Sequence, residues 1–485
     1  MKQYIGIDLG TSSVKLLLLS EAGEIKKTVS RTYSVSYPQN GWSEQDPEDW
    51  VTQTVAGISD LLVGEDPASV RGLSVAGQMH GLVILDHAGK VLRPAILWND
   101  GRSTKETDWL NEGIGKQTLS QSTGNIAFPG FTLPKLLWVK NTEPELYDQI
   151  SVILLPKDYL VYRLTGILGS EPSDACGTLY YDVKNACWSQ EMLSLCNIPK
   201  DWMPPLRRSD AIVGAVLDTY APLFGGSRPF VTAGAGDNAA AALGTGVLEA
   251  GTCNLSLGTS GTVLIPCKQY STDPANALHT FVHADGNCML LGCVLSAASC
   301  GQWWIEDILK TKDYAEEQAD FSESGEGEVY FLPYLMGERS PHNDPNARGV
   351  FLGMSRNTTR AQMTQAVYEG ITFALRDCIE VAKSLNVPLN RVRLCGGGAV
   401  SPRWQQMTAD ILNLEVEIPT QLQGPSLGAA LLAAKADGCY PDLKSAAERM
   451  TGISQVLTPN PIAAERYEAK YQKFRRIYQA LKPIF

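Results

Sequence analysis

Histidine is scarce, five in 485 residues, and the chain contains neither His-Glu-x-x-His nor Cys-x-x-Cys. That excludes the metallopeptidase helix and the zinc-ribbon or thioredoxin spacing. Gly-x-Ser-x-Gly is missing as well, which removes the nucleophile elbow of serine hydrolases. No Gly-x-x-x-x-Gly-Lys-Ser/Thr occurs, because Gly115-Lys116 is followed by Gln117 and lacks the earlier glycine, so a P-loop is not the phosphate cradle. No block of basic residues stands out, and 41 Lys+Arg against 52 Asp+Glu leave a net charge of −11. The electrostatic footprint of a nucleic-acid binder is therefore lacking, and no nucleic-acid partner is expected. Uninterrupted apolar stretches of about 18 residues are also lacking, so no membrane partner is expected. Asp8 stands where a signal peptide needs its apolar core. The eleven cysteines, an odd count scattered among apolar stretches, read as reduced thiols of a cytoplasmic protein.

What the chain does have is 44% hydrophobic positions and 44 glycines, which suit large cores joined by tight connections. Its length suggests two large domains. Tyr4–Leu9 and Val14–Leu19 are β-rich runs joined by Gly10-Thr11-Ser12-Ser13, the pattern of a hairpin. The pattern returns as Asn254–Leu257, Gly258-Thr259-Ser260-Gly261 and Thr262–Ile265, and Leu-Gly-Thr-Ser recurs at 9–12 and 257–260. An internal duplication explains both, and it divides the chain into domains 1–245 and 246–485. Val70–Ala76 and Val392–Cys395 read as strands ending in glycine-bearing loops, while 360–386 and 403–412 carry helical spacing, so the class is α/β. Tyr467, Tyr471, Phe474, Tyr478 and Leu481 share one face of a final helix, which reads as a closing core helix.

Phosphate needs close backbone approach and N–H donors, and glycine allows both. Three turns offer this after strands: Gly10-Thr11-Ser12, Gly258-Thr259-Ser260 and Gly396-Gly397-Gly398-Ala399. Phe230–Ala239 also matches a strand followed by Gly-x-Gly-x-x-Ala, but no acidic residue closes the next strand, against a dinucleotide fingerprint. Asp237 lies between glycine and an alanine run at a helix start. There it is either a helix N-cap or a carboxylate ready to take a proton from a hydroxyl. Asp8, an acid inside an apolar strand, is costly to bury without a cation or donors, which suits a magnesium-linked role beside the Gly10 turn. Gln78-Met79-His80 and Trp98-Asn99-Asp100-Gly101-Arg102 place aromatic and hydrogen-bonding groups on loops, a combination suited to a polyol.

These residues resemble the FGGY carbohydrate kinases of the actin-like ATPase superfamily over nearly the whole chain. The downstream signature is met by Gly349-x-Phe351-x-Gly353-Met354, then Gln362-Met363-x-x-Ala366-Val367-Tyr368-Glu369. The upstream one, Gly130-x-Thr132-x-x-Lys135-Leu136-x-Trp138-Val139-x-Asn141, fits until Thr142, where the family usually carries an amide, an acid or His. Ala76–Gly81, Leu97–Arg102, Leu155–Leu160 and Gly337–His342 look like the D-xylulose branch of the family rather than the glycerol branch. The resemblance implies two ribonuclease H-like domains around a catalytic cleft, with sugar held mainly by the first and ATP mainly by the second. It implies Asp237 as general base, Met79 and His80 as sugar contacts with Asn238, Trp98 and Asp100 beside them, and Asp8 as the Mg2+-linked aspartate. Gly258, Thr259, Gly397 and Gly398 correspond to nucleotide binding. The implied reaction is ATP-dependent phosphorylation of D-xylulose at C5. The alternatives are a kinase for ribulose, gluconate, glycerol or a related polyol, a sugar sensor on the same scaffold, or a dinucleotide oxidoreductase. A homodimer is a common assembly in kinases of this type.

Overall fold

The computed structural model describes residues 1–322, 325–421 and 423–485. They divide into two compact units, and the chain passes between them more than once. The first unit comprises Met1–Leu248, Thr280–Cys288 and Gln423–Thr451; the second comprises Glu249–His279, Met289–Leu422 and Gly452–Phe485.

In the first unit the expected hairpin forms from strands Gln3–Leu9 and Ser13–Ser20, with Leu9 opposite Val14, and Ile25–Thr32 extends it antiparallel. On the other side of Gln3–Leu9, strand Val70–Gly77 runs parallel, followed by parallel Phe230–Thr232 and antiparallel Ile212–Ala215. Side chains alternate across a strand, so Ile5, Ile7 and Leu9 share one face. They are buried in a core that includes Trp50, Val51, Ile58 and Leu61 of helix Pro47–Leu61. Gly6 and Asp8 face the other way. There helix Gly424–Ala436 approaches so closely that a Cβ on Gly6 would lie 1.9 Å from the Ser426 carbonyl oxygen.

The second unit repeats this order. Strands Gly251–Leu257, Gly261–Pro266 and Cys288–Val294 are successively antiparallel, with Leu257 opposite Gly261. Leu389–Cys395 is parallel to the first of them and Glu415–Pro419 parallel to that, and Ile453–Leu457 closes the edge antiparallel. Three antiparallel strands continued by parallel ones, in the same order in both units, is the arrangement expected of two ribonuclease H-like halves. The helical patterns appear as Arg360–Ser384, opened by a Thr359/Gln362 capping box, and Pro402–Leu412. The final helix, Pro461–Leu481, buries Tyr467, Tyr471, Phe474 and Tyr478, the first three around Phe373, and leaves Leu481 half-buried. It is a core helix. Among the described residues no helix is long and apolar enough to cross a membrane.

Candidate active site

Parallel strands bring their carboxyl ends to one edge, where ligands of such sheets bind. In the first unit the register sets Asp8 opposite Ala76 and Ala76 opposite Ala235. The chain therefore leaves three neighbouring strands at Gly10, Gln78 and Asp237. Gly236 is the N-cap of helix Asp237–Gly244, and Asp237 is its first residue, so Asp237 is not the cap. Its Oδ1 accepts the Asn238 backbone N–H at 2.7 Å and the Asn238 amide Nδ2 at 3.0 Å. The same Nδ2 lies 3.6 Å from Met79 Sδ, which ties Asp237 to the Gln78–His80 loop. Burial, and then the Asp8 carboxylate, push the Asp237 carboxyl up to about 7. Burial likewise raises Asp8 to about 6 against the opposing pull of Lys15. No described side chain or backbone donor hydrogen-bonds the Asp8 carboxylate. Two adjoining, desolvated carboxylates, one without a donor, are a donor set that fits a hard divalent cation completed by water and phosphate oxygens.

The Gly10–Ser12 turn beside them is fixed from several directions. Gly10 N–H bonds Ser13 O at 3.0 Å, and Gly10 O accepts Tyr33 OH at 2.5 Å and Gln78 Nε2 at 3.3 Å. Thr11 O accepts Gln45 Nε2 at 2.6 Å, and Thr11 Oγ1 accepts the Trp98 indole N–H at 2.9 Å, leaving its own hydrogen for an incoming oxygen. Ser12 is exposed at the tip of the turn. Trp98 is 38% exposed, a free aromatic face at the same edge. His80 has a φ of 70°, stacks on Phe131 at 4.7 Å, and its Nδ1 lies 2.8 Å from Gly177 O. Against a carbonyl, Nδ1 is the ring nitrogen that carries the donating hydrogen. Asp100 is buried, its oxygens engaged by Ser43 N–H at 2.6 Å and by the Arg102 guanidinium at 2.7 and 2.9 Å. It braces the 98–102 loop. The structure thus joins Asp8, Met79, Asp237 and Asn238 by contact or charge, and Thr11 to Trp98 by a hydrogen bond. Gln45 and Tyr33 were not foreseen, because each is drawn in by a side chain reaching across strands, with no local motif to mark it.

In the second unit, turn Gly258–Thr259 is held by the start of helix Ala298–Gln302. Ala298 N–H bonds Gly258 O at 2.9 Å, and Ser299 Oγ donates to Thr259 O at 2.7 Å. Gly396, at a φ of +88°, and Gly398 are required by packing, since a Cβ on the first would meet Leu257 backbone at 2.7 Å and one on the second the Trp404 ring at 2.6 Å. Gly397 has no atom within 4 Å of its Cβ position, so its backbone is open to a ligand. Gly258, Thr259, Gly397 and Gly398 line one cavity of about 640 Å3 with Gln302, Tyr368 and Trp404. Its size and mixed aromatic and amide walls suit a nucleotide.

The FGGY carbohydrate-kinase N-terminal domain matches residues 3–244 and the C-terminal domain residues 253–436, so this chain belongs to the FGGY family of carbohydrate kinases. It is a carbohydrate kinase, and that membership implies use of ATP. Over 487 residues it is 42% identical to xylulose kinase of Escherichia coli strain K12, covering 99% of each chain. The solved structure of a ligand-bound xylulose kinase from Lactobacillus acidophilus superposes with a TM-score of 0.95 at 28% identity over 99% of both chains. Gluconate kinase from the same organism superposes with a TM-score of 0.93, also at 28% identity, over 99% of this chain and 98% of that one. Shape alone therefore does not select the sugar.

Proposed function

We propose that this kinase phosphorylates D-xylulose on its C5 hydroxyl, giving D-xylulose 5-phosphate and ADP, with Asp237 as general base. The observation that carries the reading is Asp237 itself, a carboxylate raised to about 7 where three strand ends meet, linked through Asn238 to Met79 and repelled by Asp8. Full-length identity of 42% to a xylulose kinase supports the choice of sugar. Residues 1–245 would chiefly hold the sugar and 246–485 chiefly ATP, in a cytoplasmic enzyme that assembles as a homodimer.

In this mechanism Met79 offers an apolar surface to the sugar's C–H groups, and His80 accepts or donates at its hydroxyls. Trp98 stacks along the sugar face, and Asp100 keeps that loop in place. Asp237 takes the proton of the C5 hydroxyl as its oxygen attacks the γ-phosphorus in line and ADP leaves, and Asn238 keeps the carboxylate aimed at that oxygen. Thr11, Ser12 and the Gly10 turn offer hydroxyl and N–H donors to the phosphate in transfer, while Gly258, Thr259, Gly397 and Gly398 hold the rest of the nucleotide. Asp8 would hold Mg2+, which when bound supplies charge neutralisation at the phosphates. The test is ADP release with Mg-ATP against D-xylulose, D-ribulose, L-ribulose, glycerol and gluconate, with the product phosphate located by NMR. Marked preference for D-xylulose with phosphate on C5 is expected; preference for another polyol would overturn the substrate assignment.

A further inference from the structure

Behind the base lies a fully buried charged group that the mechanism has not used. Lys157, Glu171, Ser173 and Asp174 have no exposed surface, and Asp158 is 2% exposed. The Lys157 ammonium bonds Asp158 Oδ1 at 2.6 Å and lies 3.6 Å from Glu171 and 3.9 Å from Asp174. Burial works against its charge, but these three carboxyl groups more than offset it and raise its pKa. Such a cluster is expensive, and one lysine does not balance three carboxylates.

Its contacts converge on the segment that delivers Asp237. Lys157 Nζ donates to Ala233 O at 3.1 Å. Gly234, at a φ of +82°, gives its N–H to Ser209 O at 3.0 Å. Gly236 N–H, on the residue before the base, bonds Ser173 Oγ at 3.0 Å. The Ser173 hydroxyl in turn donates to Glu171 Oε1 at 2.9 Å, and Glu171 also accepts Ser173 N–H, Asp174 N–H and Ser209 Oγ at 2.8 to 2.9 Å. Glu171 thus spends its acceptor capacity on four donors, with the Lys157 ammonium 3.6 Å away. The segment cannot shift without breaking a buried bond. A Cβ on Gly234 would already stand 2.0 Å from Val75 O.

We propose that Lys157, Glu171 and Ser173 are positioning residues that fix Asp237 for proton abstraction, Ser173 through the Gly236 N–H. The proposal rests on Asp237 being the base. A misplacement of order 1 Å at a reacting group costs about 100-fold in rate, so the effect belongs in kcat. Ser173→Ala is expected to lower kcat about 10- to 100-fold while the KM values for sugar and ATP stay close to wild type, and Ser173→Thr, which keeps the hydroxyl, to recover most of it. Ser209→Ala removes one donor from Glu171 but keeps the backbone bond to Gly234; the same split, smaller, is expected, so the test survives if Ser173→Ala does not fold. An unchanged kcat, or kcat and both KM values degraded together with no recovery in Ser173→Thr, would overturn the proposal. Asp237→Asn run alongside separates the two ideas: retained turnover there removes the base itself, whereas lost turnover there with wild-type kcat in Ser173→Ala and Ser209→Ala removes only the bracket.

Discussion

Gly428→Ala should damage both stability and turnover, although Gly428 touches no substrate. Helix Gly424–Ala436 meets helix Asp237–Gly244 backbone to backbone: a Cβ on Gly428 would fall 1.9 Å from Ala240 O, and one on Gly244 would fall 1.9 Å from Gly424 O. Ordinary contact begins at 3.4 Å, so the added methyl must push the helices apart by about 1.5 Å (3.4 − 1.9), against backbone that cannot rotate away. Overpacking of this kind costs about 1–3 kcal/mol, and alanine returns only about 1 kcal/mol of helix propensity. The displaced helix carries Asp237 at its first residue, so a shift of this size should lower kcat about 100-fold. Urea unfolding and steady-state kinetics on the same preparation read both effects. A Gly428→Ala protein with the wild-type urea midpoint and wild-type kcat would refute the packing argument.

Three further outcomes are expected. Because Asp237 must be ionised to act and sits at about 7 in the free protein, kcat/KM should fall as pH drops through about 7, and the limb should move to lower pH as magnesium offsets the Asp8 charge; a profile flat from pH 5 to 8 would contradict this. Gly397→Ala, with no atom within 4 Å of the new methyl, should leave the melting temperature unchanged while raising KM for ATP about tenfold, equivalent to about 1.4 kcal/mol, and calorimetry with kinetics checks it. Glu338 is raised by burial from 4.5 to about 8, so the folded state holds a proton that the unfolded state has lost across that window and stability should fall as pH rises through it. Melting curves from about pH 5 to about pH 9 should show that decline weakened in Glu338→Gln.

Both hairpins were legible because strand alternation and a glycine turn are local signals, and the repeat of Leu-Gly-Thr-Ser at 9–12 and 257–260 falls on the corresponding turn in each unit. The final helix was legible from its aromatic face, although Leu481 at the fraying end is only half-buried. Asp237 could be placed at a helix start, but that Gly236 rather than Asp237 is the cap, and that the Asp8 charge acts on Asp237, depend on the fold and not on local sequence. Asp100 reads from sequence as a polar loop group available to sugar; its oxygens are held by Arg102 and Ser43, a matter of side-chain geometry that spacing does not encode. Helix Gly424–Ala436 joins the first unit from far along the chain because small residues let it reach Gly6 and Ala240, a long-range fit with no local mark. The Glu171–Ser173 bracket was equally silent, since its partners lie 38 and 63 residues away.

The central claim is that Asp237 removes the proton from the sugar. The most direct measurement is Asp237→Asn, with D-xylulose binding followed by calorimetry and phosphoryl transfer by rapid-quench with radiolabelled ATP. General-base removal should lower the transfer rate about 100- to 10,000-fold while the sugar still binds with near wild-type affinity. Transfer within a few-fold of wild type would contradict the account and place the proton acceptor elsewhere.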